Sequence, residues 1–231
     1  MDTPEALSIE VQRRLLQAYG VPAWHNRLPA VDELVSTILS QNTNDGNRDR
    51  AFTSLKKTFP SWEAVRDADP ESVIEAIRSA GLANQKGPRI QKILRLITQE
   101  RGEIDLGFLH HLPPKEVHDW LTRFKGIGPK TAAIVMLFSL DLPAFPVDTH
   151  ILRVSKRIGL LPNHVSAERA HQILGDMFPP DSYQVTHLNL IRHGRQVCKA
   201  RRPACERCEL QDLCAYFQDI VEDMNEGVAE Q

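Results

Sequence analysis

Four cysteines, the only ones in the chain, crowd into residues 198–214: Cys198, six residues, Cys205, two residues, Cys208, five residues, Cys214. A disulfide framework would spread its cysteines to tie distant segments together, so this crowding points to metal ligation in a reducing compartment. Four thiolates suit tetrahedral zinc or an iron–sulfur cluster. Short spacings let the chain wrap such a centre in loops, and Pro203 helps to turn it between the first two ligands. Zinc ribbons usually carry two C-x-x-C knuckles and this segment carries one, but spacing alone leaves the metal open.

A second chemical grouping lies upstream. In Leu121-Thr-Arg-Phe-Lys-Gly-Ile-Gly-Pro-Lys-Thr-Ala132 one helix ends, two glycines flank an apolar residue, and a new helix begins at Pro129. Gly126 and Gly128 permit positive φ and a close approach of the backbone to a ligand. Their amides, with the positive end of the next helix and the charge of Lys125, form an anion site suited to DNA phosphate, and Ile127 anchors the turn. Such contacts position DNA without reading its sequence. A lone G-x-G is also an ordinary packing corner; Lys130 changes the balance. In the first helical turn, where the dipole disfavours a cation, and with partial burial, its amine would be held partly uncharged, as a Schiff-base nucleophile requires.

Asp148, in Val147-Asp-Thr-His150, opens a helix as an N-cap worth about 1 kcal/mol. Capping is compatible with catalysis, because a carboxylate held by backbone amides stays ionised. It could stabilise a developing sugar oxocarbenium and manage the proton on Lys130 or on an attacking group.

The elements that must position these groups read as helices from end to end. Ser8 caps a helix through Val11, Leu15 and Leu16 that Gly20 closes. Leu34, Val35, Ile38 and Leu39 form one apolar stripe, and Ala51, Phe52, Leu55 and Phe59 another before Pro60. Further helices start at Asp69-Pro70 and end at Gly81, open at Pro88 and close at Gly102, and follow Pro113-Pro114. The helix from Pro129 to about Leu140 is apolar nearly all round and should be central to a core. Three more follow, over Asp148–Ile158, Ser166–Phe178 and Ser182–Val197, so the fold is all-α. The break at Asp141-Leu-Pro-Ala-Phe-Pro146 is a domain junction, and the acidic tail from Glu222 should fray.

Composition adds bounds. With 231 residues, 42% hydrophobic and 25% charged, the chain can bury a sizeable core. A net charge of −2 gives no global nucleic-acid signal, but local positive charge runs through Lys125–Lys130 and through Arg192, Arg195, Lys199, Arg201, Arg202 and Arg207. On charge alone these are solvated faces. No apolar run reaches membrane-span length, and the polar start MDTPEALSIEVQRR is neither signal nor transit peptide. A cytoplasmic or otherwise intracellular protein, neither secreted nor membrane-bound, is expected.

Taken in order, Phe124-Lys-Gly-Ile-Gly-Pro-Lys-Thr-Ala132, Val147-Asp-Thr-His150 and Cys-x6-Cys-x2-Cys-x5-Cys resemble the endonuclease III branch of the helix–hairpin–helix DNA glycosylases, over residues 8–216 or so. The resemblance implies a 4Fe–4S cluster on Cys198, Cys205, Cys208 and Cys214. It implies a six-helix domain over 24–141 carrying the hairpin, an iron–sulfur domain built from 1–23 and 142–216, a tail at 217–231, and a DNA-binding cleft between the two domains. Lys130 then takes the place of the Schiff-base lysine and Asp148 that of the catalytic aspartate. Gln41 fills the gap left by a flipped base, Leu82 wedges the duplex, and Lys125, Gly126, Ile127, Gly128, Arg195, Lys199 and Arg201 hold DNA. Leu82 also reads as an apolar residue packing back onto the preceding helix end.

The implied activity is a base-excision-repair DNA glycosylase with AP lyase activity. It removes oxidised or saturated pyrimidines and nicks 3′ to the abasic site, as a monomer on double-stranded DNA carrying damaged pyrimidines or abasic sites. The adenine-specific mismatch branch lacks the lysine and has an extra C-terminal domain; this chain has the lysine and stops sooner. Phe124-Lys125 stands where the family usually has Leu-Pro, and Ser40-Gln-Asn-Thr-Asn44 is more polar than the usual segment, which leaves substrate range least constrained. Competing readings are a mismatched-thymine, uracil or pyrimidine-dimer glycosylase on the same scaffold, and a non-catalytic DNA-binding iron–sulfur protein.

Overall fold

Helix starts follow capping chemistry. Asn44, Ser61, Asp69, Asp148 and Ser166 each accept, on a side-chain oxygen, the backbone N–H three residues on, at about 1 kcal/mol per cap. The computed structural model describes residues 3–23 and 27–221, and among them eleven α-helices, short 3-10 turns and no strand. The acidic tail from Glu222 and the expected domain start at residue 24 lie outside the described residues. The chain divides into two compact units: Asn26–Leu142, and Met1–His25 with Pro143–Gln231.

The unit over Asn26–Leu142 holds α2 (Ala30–Ser40), α3 (Asp45–Thr58), α4 (Trp62–Asp67), α5 (Pro70–Ala76), α6 (Ala83–Arg101), α7 (Pro114–Thr122) and α8 (Pro129–Ser139). The short α4, opened by the Ser61 cap, makes seven helices where apolar periodicity marks six. As its composition demands, α8 is the core helix: Thr131 to Ser139 is buried except Ile134, and α2 and α7 pack against it. Each large apolar side chain buried there contributes about 1.5–3 kcal/mol.

Gln91 and Lys86 are among the polar side chains buried in this core. Gln91 donates from Nε2 to the carbonyls of Val65 and Ala68 at 3.0 and 2.8 Å, fastening α4 to α6. Lys86, only 1% exposed, donates from Nζ to the carbonyls of Leu39 and Ala80 at 2.7 and 2.8 Å.

In the other unit, α11 (Tyr183–Gln196) packs on α9 (Thr149–Ile158) and α1 (Pro4–Tyr19), with α10 (Ala167–Met177) alongside. Gly194 permits the α11–α9 approach, since a Cβ there would come within 2.9 Å of the His150 Cβ. No helix among the described residues is long and apolar enough to cross a membrane.

Two helix starts differ from the sequence expectation. Thr3, not Ser8, caps α1, because Pro4 at the first position pre-sets the helical φ. Ser8 is fully buried, with its hydroxyl 2.8 and 3.1 Å from the carbonyls of Glu5 and Met177. Likewise α6 begins at Ala83 and Pro88 lies inside it. The proline's missing N–H leaves the Asn84 carbonyl without its helical partner, and Asn84 is exposed, so water can serve it.

Candidate functional site

The hairpin between α7 and α8 is tight. The Ile127 N–H donates to the Phe124 carbonyl at 2.9 Å, and Ile127 is buried. Gly126 takes the left-handed conformation, φ 94°, but Gly128 does not. With φ −97° and ψ 178°, Gly128 is the extended N-cap of α8, so the expectation of two positive-φ glycines is corrected to one. What Gly128 supplies is open space, because nothing lies within 4 Å of where its Cβ would be. Lys125 is exposed beside it.

Lys130 is the second residue of α8, in its first turn. Its side chain is exposed, which corrects the expectation of partial burial. Neighbouring positions 131–133 face the core, so the helix period turns residue 130 outward.

Gln41 is joined to this hairpin. Its Nε2 donates to the Gly126 carbonyl at 3.1 Å, and its Oε1 accepts from Arg89 NH1 at 2.7 Å. Leu82 stands between the Arg78–Ala80 turn and α6 with φ 50°, ψ 31°, and is 47% exposed. The left-handed backbone after Gly81 (φ 66°) turns its side chain outward. A non-glycine residue there costs roughly 1 kcal/mol, the kind of strain that clusters at functional positions. Lys86 holds both segments: it bonds the last turn of α2 before Gln41 and the Ala80 carbonyl before Leu82. Pattern reading missed Lys86 and Arg89. The signal for Lys86 was its register with Ile90, Leu94 and Ile97, which places a cation on the buried stripe.

Asp148 caps α9, its Oδ1 accepting from the Ile151 N–H at 2.8 Å. The chain entering the cap is held by two histidines not singled out from sequence. His171 donates from Nδ1 to the Phe145 carbonyl and His187 to the Pro146 carbonyl, each at 2.9 Å. Phe145, Pro146 and Val147 are buried.

The four cysteines line one hollow, bounded otherwise by Ile158, His193, Val197, Leu210 and Tyr216 among others. Among the described residues no three His, Cys, Asp or Glu side chains converge to hold a single ion. Four thiols lining one hollow supply the donor set that an iron–sulfur cluster takes. Burial pushes the Cys208 thiol up to about 11, and the Cys205 and Cys214 thiols up as well. Such thiols ionise readily only when a bound cation repays the burial.

The loop is pinned from α9: Arg153 Nε donates to the Cys198 carbonyl at 3.0 Å, and Arg157 NH1 to the Lys199 carbonyl at 2.7 Å. Arg195, Lys199 and Arg201 are exposed, on and just beyond the end of α11.

These features have close counterparts in known proteins. Residues 35–180 match the profile of the HhH-GPD superfamily base excision DNA repair proteins, and residues 198–214 match the iron–sulfur binding domain of endonuclease III. A relative in Arabidopsis thaliana named as a DNA glycosylase is 39% identical over 71% of this chain, although the chain spans only 56% of that relative's length. Endonuclease III of Sulfolobus acidocaldarius is 34% identical, over 82% of this chain and 83% of the relative. The structure of a trapped endonuclease III–DNA covalent intermediate superposes with a TM-score of 0.80 at 25% identity, covering 96% of this chain and all of that one.

The chain therefore belongs to the HhH-GPD superfamily of base excision DNA repair proteins. Within that superfamily it is a member of the endonuclease III family, a DNA glycosylase and AP lyase that carries a 4Fe–4S cluster.

Proposed function

We propose that this enzyme excises oxidised or saturated pyrimidines from duplex DNA, with Lys130 as nucleophile and Asp148 as the essential carboxylate. It then nicks the strand on the 3′ side of the resulting abasic sugar. The observation that carries the proposal is the exposed amine of Lys130 in the first turn of α8, directly after a hairpin whose Gly128 leaves its surroundings open.

In this reading the hairpin amides and the exposed Lys125, Arg195, Lys199 and Arg201 engage phosphates. Leu82 and Gln41 take the space vacated as the damaged nucleotide rotates out. Flipping costs a few kcal/mol and is cheapest for a poorly stacked base, which favours saturated pyrimidines. The Lys130 amine bonds to C1′ through its nitrogen lone pair as the glycosidic bond breaks and the base departs with its electron pair. The Asp148 carboxylate, oriented by the Ile151 N–H at the start of α9, stabilises the positive charge that develops on the sugar. The C1′–O4′ bond of the resulting aminal then breaks, with a proton passing from the amine to O4′, to give a ring-opened imine; this makes the C2′ proton acidic, its removal expels the 3′ phosphate, and water then frees the lysine.

The cysteine loop holds the cluster and, through it, the backbone that presents Lys199 and Arg201; when bound, the cluster supplies a rigid, redox-capable centre. We place the enzyme inside the cell on chromosomal DNA, acting as a monomer. Excision from duplexes containing thymine glycol, uracil, a T·G mismatch or a pyrimidine dimer tests the lesion class. Thymine glycol should be processed fastest, and a preference for the mismatch or the dimer would reassign the substrate.

A further inference from the structure

His193 is 1% exposed, five residues before the first cluster cysteine, and its two ring nitrogens face different partners. Nδ1 lies 2.9 Å from the Tyr19 hydroxyl of α1, and Nε2 lies 3.6 Å from the Cys208 sulfur. Among the described residues it is the one histidine lining the hollow that the four cysteines surround.

The chemistry of the partners fixes the proton. A cluster-bound thiolate can only accept, so the nitrogen facing Cys208 must carry hydrogen. In a neutral imidazole the other nitrogen then holds a lone pair, and the Tyr19 hydroxyl must donate to it. Tyr19 is itself held in place, with the Arg192 guanidinium 4.9 Å above its ring and Arg192 NH1 donating to its carbonyl at 3.2 Å.

We infer that Tyr19 and His193 form a hydrogen-bond relay onto Cys208 that sets the reduction potential of the cluster. Each added electron increases the negative charge on the ligating sulfurs, so a fixed donor aimed at one of them favours the reduced state and raises the potential. Arg157 NH1 also approaches a ligand sulfur, Cys198 at 3.5 Å, but the same nitrogen donates to the Lys199 carbonyl at 2.7 Å, and NH2 donates to that of Ala200. His193 and Tyr19 are thus positioning residues that act on the cluster through Cys208. This inference rests on the cluster assignment but not on the glycosylase chemistry.

The test uses the cluster-loaded protein without DNA. With ¹⁵N-labelled histidine, pulsed EPR of a paramagnetic state of the cluster should show one nitrogen coupling and an exchangeable proton that disappears in D₂O. Absence of both in the wild type overturns the inference. His193→Phe should shift the potential downward, His193→Gln, which keeps a donor, should restore most of the shift, and Tyr19→Phe should give a smaller shift of the same sign. Identical potentials in all four proteins would leave His193 as core packing only. Should His193→Phe fail to load its cluster, Tyr19→Phe and the labelled wild type still decide. A purified protein without iron would overturn the cluster assignment itself, whereas loss of glycosylase activity would leave these spectra untouched.

Discussion

Arg89 lies across Gly126: a β-carbon built on that glycine would meet the guanidinium Nε at 2.5 Å and Cδ at 2.7 Å. The same guanidinium donates to Gln41, and Gln41 donates onward to the Gly126 carbonyl. The hairpin, the end of α2 and the second turn of α6 are therefore one hydrogen-bonded assembly, and a change at any of the three should be felt by the others.

Gly126→Ala should destabilise the protein by about 1–2 kcal/mol, because alanine is strained at φ 94° and its methyl displaces Arg89. Affinity for an abasic-site duplex should fall with it. Adding Arg89→Ala should relieve the clash but not the backbone strain, so denaturant melts of the double variant should recover only part of the loss.

Lys86→Met keeps the length of the side chain and removes both bonds to the Leu39 and Ala80 carbonyls. Two buried carbonyls left unpaired should cost about 2–4 kcal/mol. Burial depresses the Lys86 ammonium below the ordinary lysine value. Its folded-state pKa then lies below the unfolded one, so stability rises with pH between the two and is lost again as pH falls through the folded value. In urea melts at increasing alkaline pH, wild type should gain stability relative to Lys86→Met. A pH-independent difference would mean that Lys86 does not titrate differently on folding.

Asp148 combines two roles that substitution can separate. Asp148→Asn keeps a good N-cap, so stability should stay near wild type while single-turnover excision drops by about 100-fold or more. Asp148→Ala should lose about 1 kcal/mol of stability in addition. Full activity in Asp148→Asn would reduce the residue to a helix cap.

Loss of the cluster should act on DNA binding more than on the helices. Between Cys198 and Cys214 the chain forms only short 3-10 turns, at Cys205–Arg207 and Gln211–Leu213, while α9 and α11 are packed on each other. Stripping iron, or Cys208→Ser, should leave the helical circular dichroism near that of the loaded protein. Affinity for duplex DNA should fall roughly tenfold or more, as the backbone presenting Lys199 and Arg201 loses its fixed path. Unchanged affinity would separate the cluster from DNA binding.

Features set by local chemistry were legible in the sequence: the Asp148 cap, the turn at Gly126-Ile127, the apolar α8 and the cysteine spacing each follow from neighbours within a few residues. What escaped depends on distant partners. Lys86 reads as a surface lysine until the carbonyls of Leu39 and Ala80, from two other elements, close around it. His193 acquires meaning only beside Tyr19, from the far end of the chain. Pro88 reads as a helix start because the left-handed Leu82 that actually begins α6 has no sequence signature of its own. The outward turn of Lys130 follows from the burial of residues 131–133, which α2 and α7 impose.

Borohydride trapping on a duplex containing thymine glycol asks most directly whether the amine at position 130 attacks the sugar. Wild type should yield a covalent protein–DNA adduct, and Lys130→Ala should yield none while still binding the duplex. Equal trapping by the two proteins would assign the nucleophile to another group.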